Sequence, residues 1–131
     1  MRMHIGQINC YIADTPMNAS IGGNIYFSIG DQYFPEEDHY DLLSSVLKMW
    51  LPDFRSFAKQ HTDSCTLRFM DASAYIILKR EATTVTATCY FAGRLVVPVT
   101  VVDFDDLSKS FEQCVSKYNR YLHQLNQERT S

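Results

Sequence analysis

The stretch Thr84-Val85-Thr86-Ala87-Thr88-Cys89-Tyr90-Phe91-Ala92-Gly93-Arg94-Leu95-Val96-Val97-Pro98-Val99-Thr100-Val101-Val102-Asp103-Phe104-Asp105-Asp106-Leu107 decides the fold, because its hydrophobic period changes within it. Val85, Ala87, Cys89 and Phe91 alternate with Thr84, Thr86, Thr88 and Tyr90. A period of two predicts a strand with one covered face, and threonine suits the solvated side. Ala92-Gly93 reads as a turn. Leu95, Val97, Val99 and Val101 then alternate with Arg94, Val96, Pro98 and Thr100, predicting a second strand with the first set inward. Pro98 has no N–H for a ladder, so this strand belongs at a sheet edge, where a partner strand can add. After Asp103 the period lengthens. Leu107, Phe111, Cys114, Val115, Tyr118, Leu122 and Leu125 share one face of an amphipathic helix of about five turns. Asp103, Asp105 and Asp106 crowd its start, where a cap and the helix dipole both favour carboxylates. Residues 126–131 read as a frayed tail.

Working towards the N-terminus, Tyr75-Ile76-Ile77-Leu78 is extended, and Cys65, Leu67 and Phe69 alternate with Thr66 and Arg68. Met70–Ala74 reads as a turn, bulge or bend, which decides whether one long bent strand or two strands occupy 64–79. Leu43, Val46, Leu47, Trp50 and Leu51 recur at helical spacing, with Asp38 as the expected N-cap and Asp41 in the first turn. Pro52 ends or kinks this helix at Leu51, and Phe54 and Phe57 follow on a second short turn. Ile25, Phe27 and Ile29 mark a strand, and residues 4–12 another. Between them, Asp14–Asn24 is dense in turn residues, and Ile21-Gly22-Gly23-Asn24 reads as part of a hairpin loop. The order is β-β-α-β-β-β-β-α. Antiparallel hairpins with two apolar-faced helices predict an α+β, two-layer fold, a mainly antiparallel sheet with helices on one face, in a single domain over residues 1–131.

Composition supports that class. The 131 residues are 46% hydrophobic and 21% charged, the profile of an ordinary globular domain. Twelve Lys and Arg against fifteen Asp and Glu leave a net charge of -3, which argues against a nucleic-acid partner. No run has the length of a membrane span or the core of a signal peptide, so a cytoplasmic protein with no membrane partner is expected. Cys10, Cys65, Cys89 and Cys114 form no C-x-x-C pair and read as small buried hydrophobes. His4, His39, His61 and His123 show no metal-ligand spacing. No nucleophile elbow, phosphate loop or dinucleotide fingerprint is present, so no cofactor, metal or catalytic residue is expected, and the chain is read as not an enzyme. A pocket assembled from Tyr26, Arg68, Asp71 and His61 is the enzymatic alternative, without any fixed spacing behind it.

Two carboxylate clusters stand out. Helix capping accounts for Asp103, Asp105 and Asp106. It does not account for Asp31, Glu36, Glu37, Asp38 and Asp41, which lie beside Tyr33, Phe34 and Tyr40. Acids interleaved with exposed aromatics suit a basic protein partner, the rings supplying anchor area and the carboxylates steering and register. Asp71, at the end of a strand, either caps a turn or joins this surface. The expected partner-binding set is therefore Asp31, Tyr33, Phe34, Glu36, Glu37, Asp38, Tyr40 and Asp71.

The layout over residues 24–125 resembles small single-domain immunity proteins that accompany bacterial polymorphic toxins, including those of contact-dependent growth inhibition. The resemblance rests on Phe34-Pro35 before the first helix, Lys48-Met49-Trp50-Leu51 near its end, and Leu67-Arg68-Phe69-Met70-Asp71 on the following strand. Tyr75, the threonine-rich strand and the final helix complete it. It implies a non-enzymatic inhibitor that binds a cognate toxin domain and blocks its active site; a monomer is the favoured oligomeric state. Where the toxin is a nuclease with a basic cleft, the acidic surface would stand in for nucleic acid. A small acidic secretion-chaperone-like binding domain is the alternative.

Overall fold

The computed structural model describes residues 1–11, 20–71 and 73–130. The class is α+β, with strands preceding each helix. The elements are β1 (Arg2–Tyr11), β2 (Ser20–Ile29), β3 (Gln32–Phe34), β4 (Tyr40–Leu42), α1 (Leu43–Ala58), β5 (Ser64–Arg68), β6 (Ala74–Glu81), β7 (Thr84–Phe91), β8 (Arg94–Val102) and α2 (Phe104–Thr130). The strands divide into two antiparallel sheets. In one, β2 pairs with β1 on one side and with both β3 and β4 on the other; the second is the meander β5-β6-β7-β8.

Strands β3 and β4 are two pieces of a single edge. Phe34 faces Phe27 of β2, Tyr40 faces Asn24, and the ladder resumes where the Ile25 N–H donates to the His39 carbonyl at 2.7 Å. The acidic segment Pro35–Asp38 is thus an excursion from a sheet edge. It is not a lead into a helix, and Asp38 does not cap α1. The helix begins at Leu43 after Leu42, with no side-chain cap. Asp38 instead takes a left-handed backbone (φ 59°), as a short polar side chain tolerates in a tight turn.

Three other expectations change. Gly22 and Gly23 lie inside β2 opposite Leu42 and Asp41, not in a loop. A methyl group on Gly22 would strike the Tyr40 ring, and one on Gly23 would strike Leu43, so close approach explains both glycines. The rest of the expected loop, residues 12–19, lies outside the described residues. Pro52 does not end α1, which runs unbroken from Leu43 to Ala58 and buries Phe54 and Phe57 on the face that holds Val46, Leu47 and Trp50. Packing of those rings outweighs the lost backbone bond. Helix α2 runs to Thr130, past the expected fray. Asp103 does cap it: its Oδ1 accepts the Asp106 N–H at 3.2 Å.

The largest correction concerns β8. Its pairing with β7 slips twice, between Ala87 and Cys89 and again between Cys89 and Tyr90. Each slip shifts the strand's phase by one residue. Val97 and Val102 are buried, whereas Leu95, Val99 and Val101 are 55%, 71% and 70% exposed, and Phe91 also turns outward.

Phe69 is the hub of the core. Its ring meets Trp50, His39, Phe34 and Phe27 edge-on, with centroids 5.1, 5.3, 6.0 and 6.3 Å away. Such perpendicular contacts set the ring's positive edge against a neighbour's negative face. The Trp50 indole N–H donates to the Arg68 carbonyl at 2.7 Å, fixing α1 to β5. A second cluster joins the helices, where Phe54 of α1 stacks on Phe111 of α2 at 3.8 Å. Cys65, Cys89 and Cys114 are buried free thiols, pushed up by burial to about 12, 12 and 11, so they pack as apolar groups. No helix among the described residues is long and apolar enough to cross a membrane.

Candidate interaction surface

Three connections meet at one end of the molecule: the excursion Pro35–His39, the turn after Phe69, and the hairpin between β7 and β8. Their side chains line a groove of about 430 Å³ formed by Phe34, Pro35, Glu36, His39, Asp71, Phe91 and Val96. Its wall is mixed, with two carboxylates and one imidazole among apolar groups.

Each part of the groove has a local cause. Asp71 builds its own turn: Oδ1 accepts the Ser73 N–H at 3.1 Å and the Ser73 hydroxyl at 2.7 Å. These bonds hold the carboxyl below its usual range, so Asp71 is an anion at neutral pH. Its other oxygen takes no part in them. The hairpin Phe91-Ala92-Gly93-Arg94 has both central residues left-handed, at φ 53° and 76°, the primed turn that matches strand twist. Phe91 therefore stands at the rim, 45% exposed.

Beneath the groove lies Asp41, one of the few buried polar residues at 8% exposure. Its Oδ1 accepts the Leu42 N–H at 2.8 Å and its Oδ2 the Met70 N–H at 3.1 Å. His39 Nε2 lies 3.4 Å from Oδ2, off the hydrogen-bond line, so this buried nitrogen has no hydrogen-bond partner among the described residues. Burial pushes the Asp41 carboxyl up, but His39 and the two backbone donors outweigh it and leave the group below its ordinary range. Asp41 thus ties the β4 edge to the turn after β5, and so ties one sheet to the other.

The expected partner-binding residues divide. Phe34, Glu36 and Asp71 meet in the groove, and Glu37 and Asp38 are exposed on the same excursion. Tyr33 and Tyr40 are exposed at 47% and 45%, on the outward face of β3 and β4. Asp31 is exposed in the β2–β3 turn. Phe34 is 1% exposed, so it is a core ring under the groove and not a projecting anchor. The burial follows from its pairing with Phe27, which puts it on the inward face.

Sequence reasoning missed Phe91, Val96, Pro35 and His39 as lining groups. Phe91 escaped because strict alternation turns it inward, away from the outward-facing Val96; no residue type in β7 or β8 marks the slip. His39 was within reach, since it is the only basic candidate among the acids of that segment. The scattered set Tyr26, Arg68, Asp71 and His61 gains no cluster: Arg68 packs over the Tyr75 ring at 4.7 Å, and Asp71 bonds Ser73. No family model, curated protein or solved structure matches the chain.

Proposed function

We propose that the chain is a non-catalytic binding protein of the immunity type, which neutralises a cognate toxin domain by docking this end of the molecule against it. The observation that carries the reading is the convergence of carboxylates and exposed apolar groups on one groove. Glu36 and Asp71 line it, Glu37 and Asp38 lie on the same excursion, and Phe91 and Val96 stand 45% and 46% exposed beside them. Met70 and Leu95, next in sequence to the lining residues Asp71 and Val96, are also exposed. Protein interfaces combine such features: apolar anchors at the centre supply affinity, and rim charges set association rate and register. A basic cleft is the complementary partner surface. A stable complex buries roughly 800 Å² on each side, so the docking area includes Met70 and Leu95 as well as the groove.

The test is co-expression with the toxin domain encoded beside this chain. Growth rescue and a complex on size exclusion are expected. Failure of both rejects the reading. Replacing Glu36 and Glu37 together by lysine is expected to slow association by about tenfold at low salt, with little change at high salt. Association that is unaltered at low salt places the contact elsewhere on the molecule.

A further inference from the structure

A second concave surface has the opposite charge. It runs between β1 and α2, encloses about 590 Å³, and is lined by Arg2, His4, Tyr26, Gln113, Lys117 and Arg120, with buried Met3, Ser110 and Cys114 behind. No carboxylate among the described residues lines it. Two acids of α2 on this side of the molecule are already engaged. Asp106 pairs with Arg2 at 3.6 Å, and Glu112, which lines an adjoining hollow, is held by Arg55 through two bonds of 3.2 and 3.1 Å. Lys117 and Arg120 are left as exposed cations without an ion-pair partner among the described residues. Arg120 also lines the two adjoining hollows, with Lys109 in one and Lys117 in the other. Positive charge is therefore concentrated here in a chain whose net charge is -3.

Two features make this a shaped site and not a loose collection of lysines. The Lys117 ammonium donates to the Ile5 carbonyl at 2.9 Å, which fixes it at the groove and leaves two further N–H donors. Across the groove stands an aromatic stack. His4 lies on Tyr26 with centroids 5.0 Å apart and planes 21° from parallel, and Tyr33 meets Tyr26 edge-on at 5.7 Å. His4 is anchored by its Nε2 contact with Ser28 Oγ at 2.8 Å. Burial, then Asp38 and Glu37, push the Tyr26 phenol up, whereas the cations Lys117 and Arg120 stand on α2.

The geometry points to a phosphate-bearing planar ligand of the nucleoside-phosphate class in this groove, with its phosphates on Lys117 and Arg120 and its ring against Tyr26. The placement of the cations sets the orientation: the charged end lies at Lys117 and Arg120 on α2, and the ring lies against Tyr26 on β2. The volume suits a small ligand, whose pockets run to some 300–1,000 Å³. The groove is separate from the acidic one, and the inference does not depend on a toxin partner.

The experiment is calorimetric titration of the full chain with ATP, tripolyphosphate and a short oligoadenylate at about 50 mM salt. Saturable ATP binding is expected, weakened about tenfold by Arg120→Glu, a residue with no hydrogen bond or ion pair to lose among the described residues. Lys117→Met is expected to weaken it similarly. Tyr26→Leu is expected to weaken ATP but not tripolyphosphate, with the thermal melt confirming that the variant folds. Absence of ATP binding, or binding untouched by Arg120→Glu, overturns the site. Tripolyphosphate binding as tightly as ATP overturns the ring contact, and oligoadenylate binding far more tightly than ATP overturns the small-ligand class.

Discussion

A single carboxylate, Asp41, fastens the edge under the acidic excursion to the turn that carries Met70 and Asp71. Asp41→Asn keeps the shape but removes the charge that its two backbone donors and His39 favour. Charge-assisted bonds are worth about 1.5–3 kcal/mol, so a loss of that order is expected in urea unfolding at pH 7. The pH dependence has a definite sign. Asp41's folded carboxyl lies below its unfolded value near ~3.9, so its contribution is complete above about pH 5. It fades as pH falls through the folded value. Wild type is therefore expected to lose more stability than the Asn variant between pH 5 and pH 3. Parallel acid losses in the two proteins would reject this account. Asp41 was legible in the sequence as an acid near a helix start, but not as a buried tie. The role depends on Met70, 29 positions away, and no local pattern encodes that separation.

Among the elements, α2 and β8 contrast in how openly the sequence announces them. The apolar face of α2 is visible in its spacing because a helix's period is set by its own backbone. The inward face of β8 is not, because it depends on which β7 residue each β8 residue pairs with. This gives a direct test of the double slip. Val99→Lys and Val101→Lys, at sites 71% and 70% exposed, are expected to change stability by no more than about 0.5 kcal/mol. Val97→Lys, at a site 4% exposed, is expected to cost at least about 3 kcal/mol by burying an unpaired charge. Equal costs for the three would restore simple alternation. Helix α2 also stands in for a strand. The Met3 N–H donates to Ser110 Oγ at 2.9 Å, and the Met3 carbonyl accepts from Cys114 Sγ at 3.4 Å, so the helix satisfies groups on the open side of β1. Ser110→Ala leaves a buried N–H without an acceptor, and a loss of about 1–3 kcal/mol in thermal or urea unfolding is expected.

At the scale of the molecule, the two sheets share one core, with Phe69 and Trp50 at their meeting. The sheets are therefore expected to unfold together. Trp50 is the only tryptophan and is 1% exposed, so its emission starts blue-shifted and reports that junction. Its red shift in denaturant and the loss of far-ultraviolet ellipticity are expected to coincide; separate midpoints would show that the sheets are independent. The α+β class was legible because periodicity and turn chemistry are local. The split into two sheets was not, since it depends on β3 and β4, three residues each, too short to show a period. The charge layout was half legible. The acidic excursion is contiguous in sequence, whereas the basic groove joins Arg2 to Lys117 and Arg120 across almost the whole chain.

That same separation governs how the protein is made. Strand β1 leaves the ribosome before α2, and Ser110, which accepts its Met3 N–H, is synthesised 107 residues later. At about 5–20 residues per second, the open side of β1 waits some 5–20 s for its cover. During that interval it is a bare strand edge that another nascent chain can pair with, so the yield of soluble protein depends on how quickly translation reaches α2.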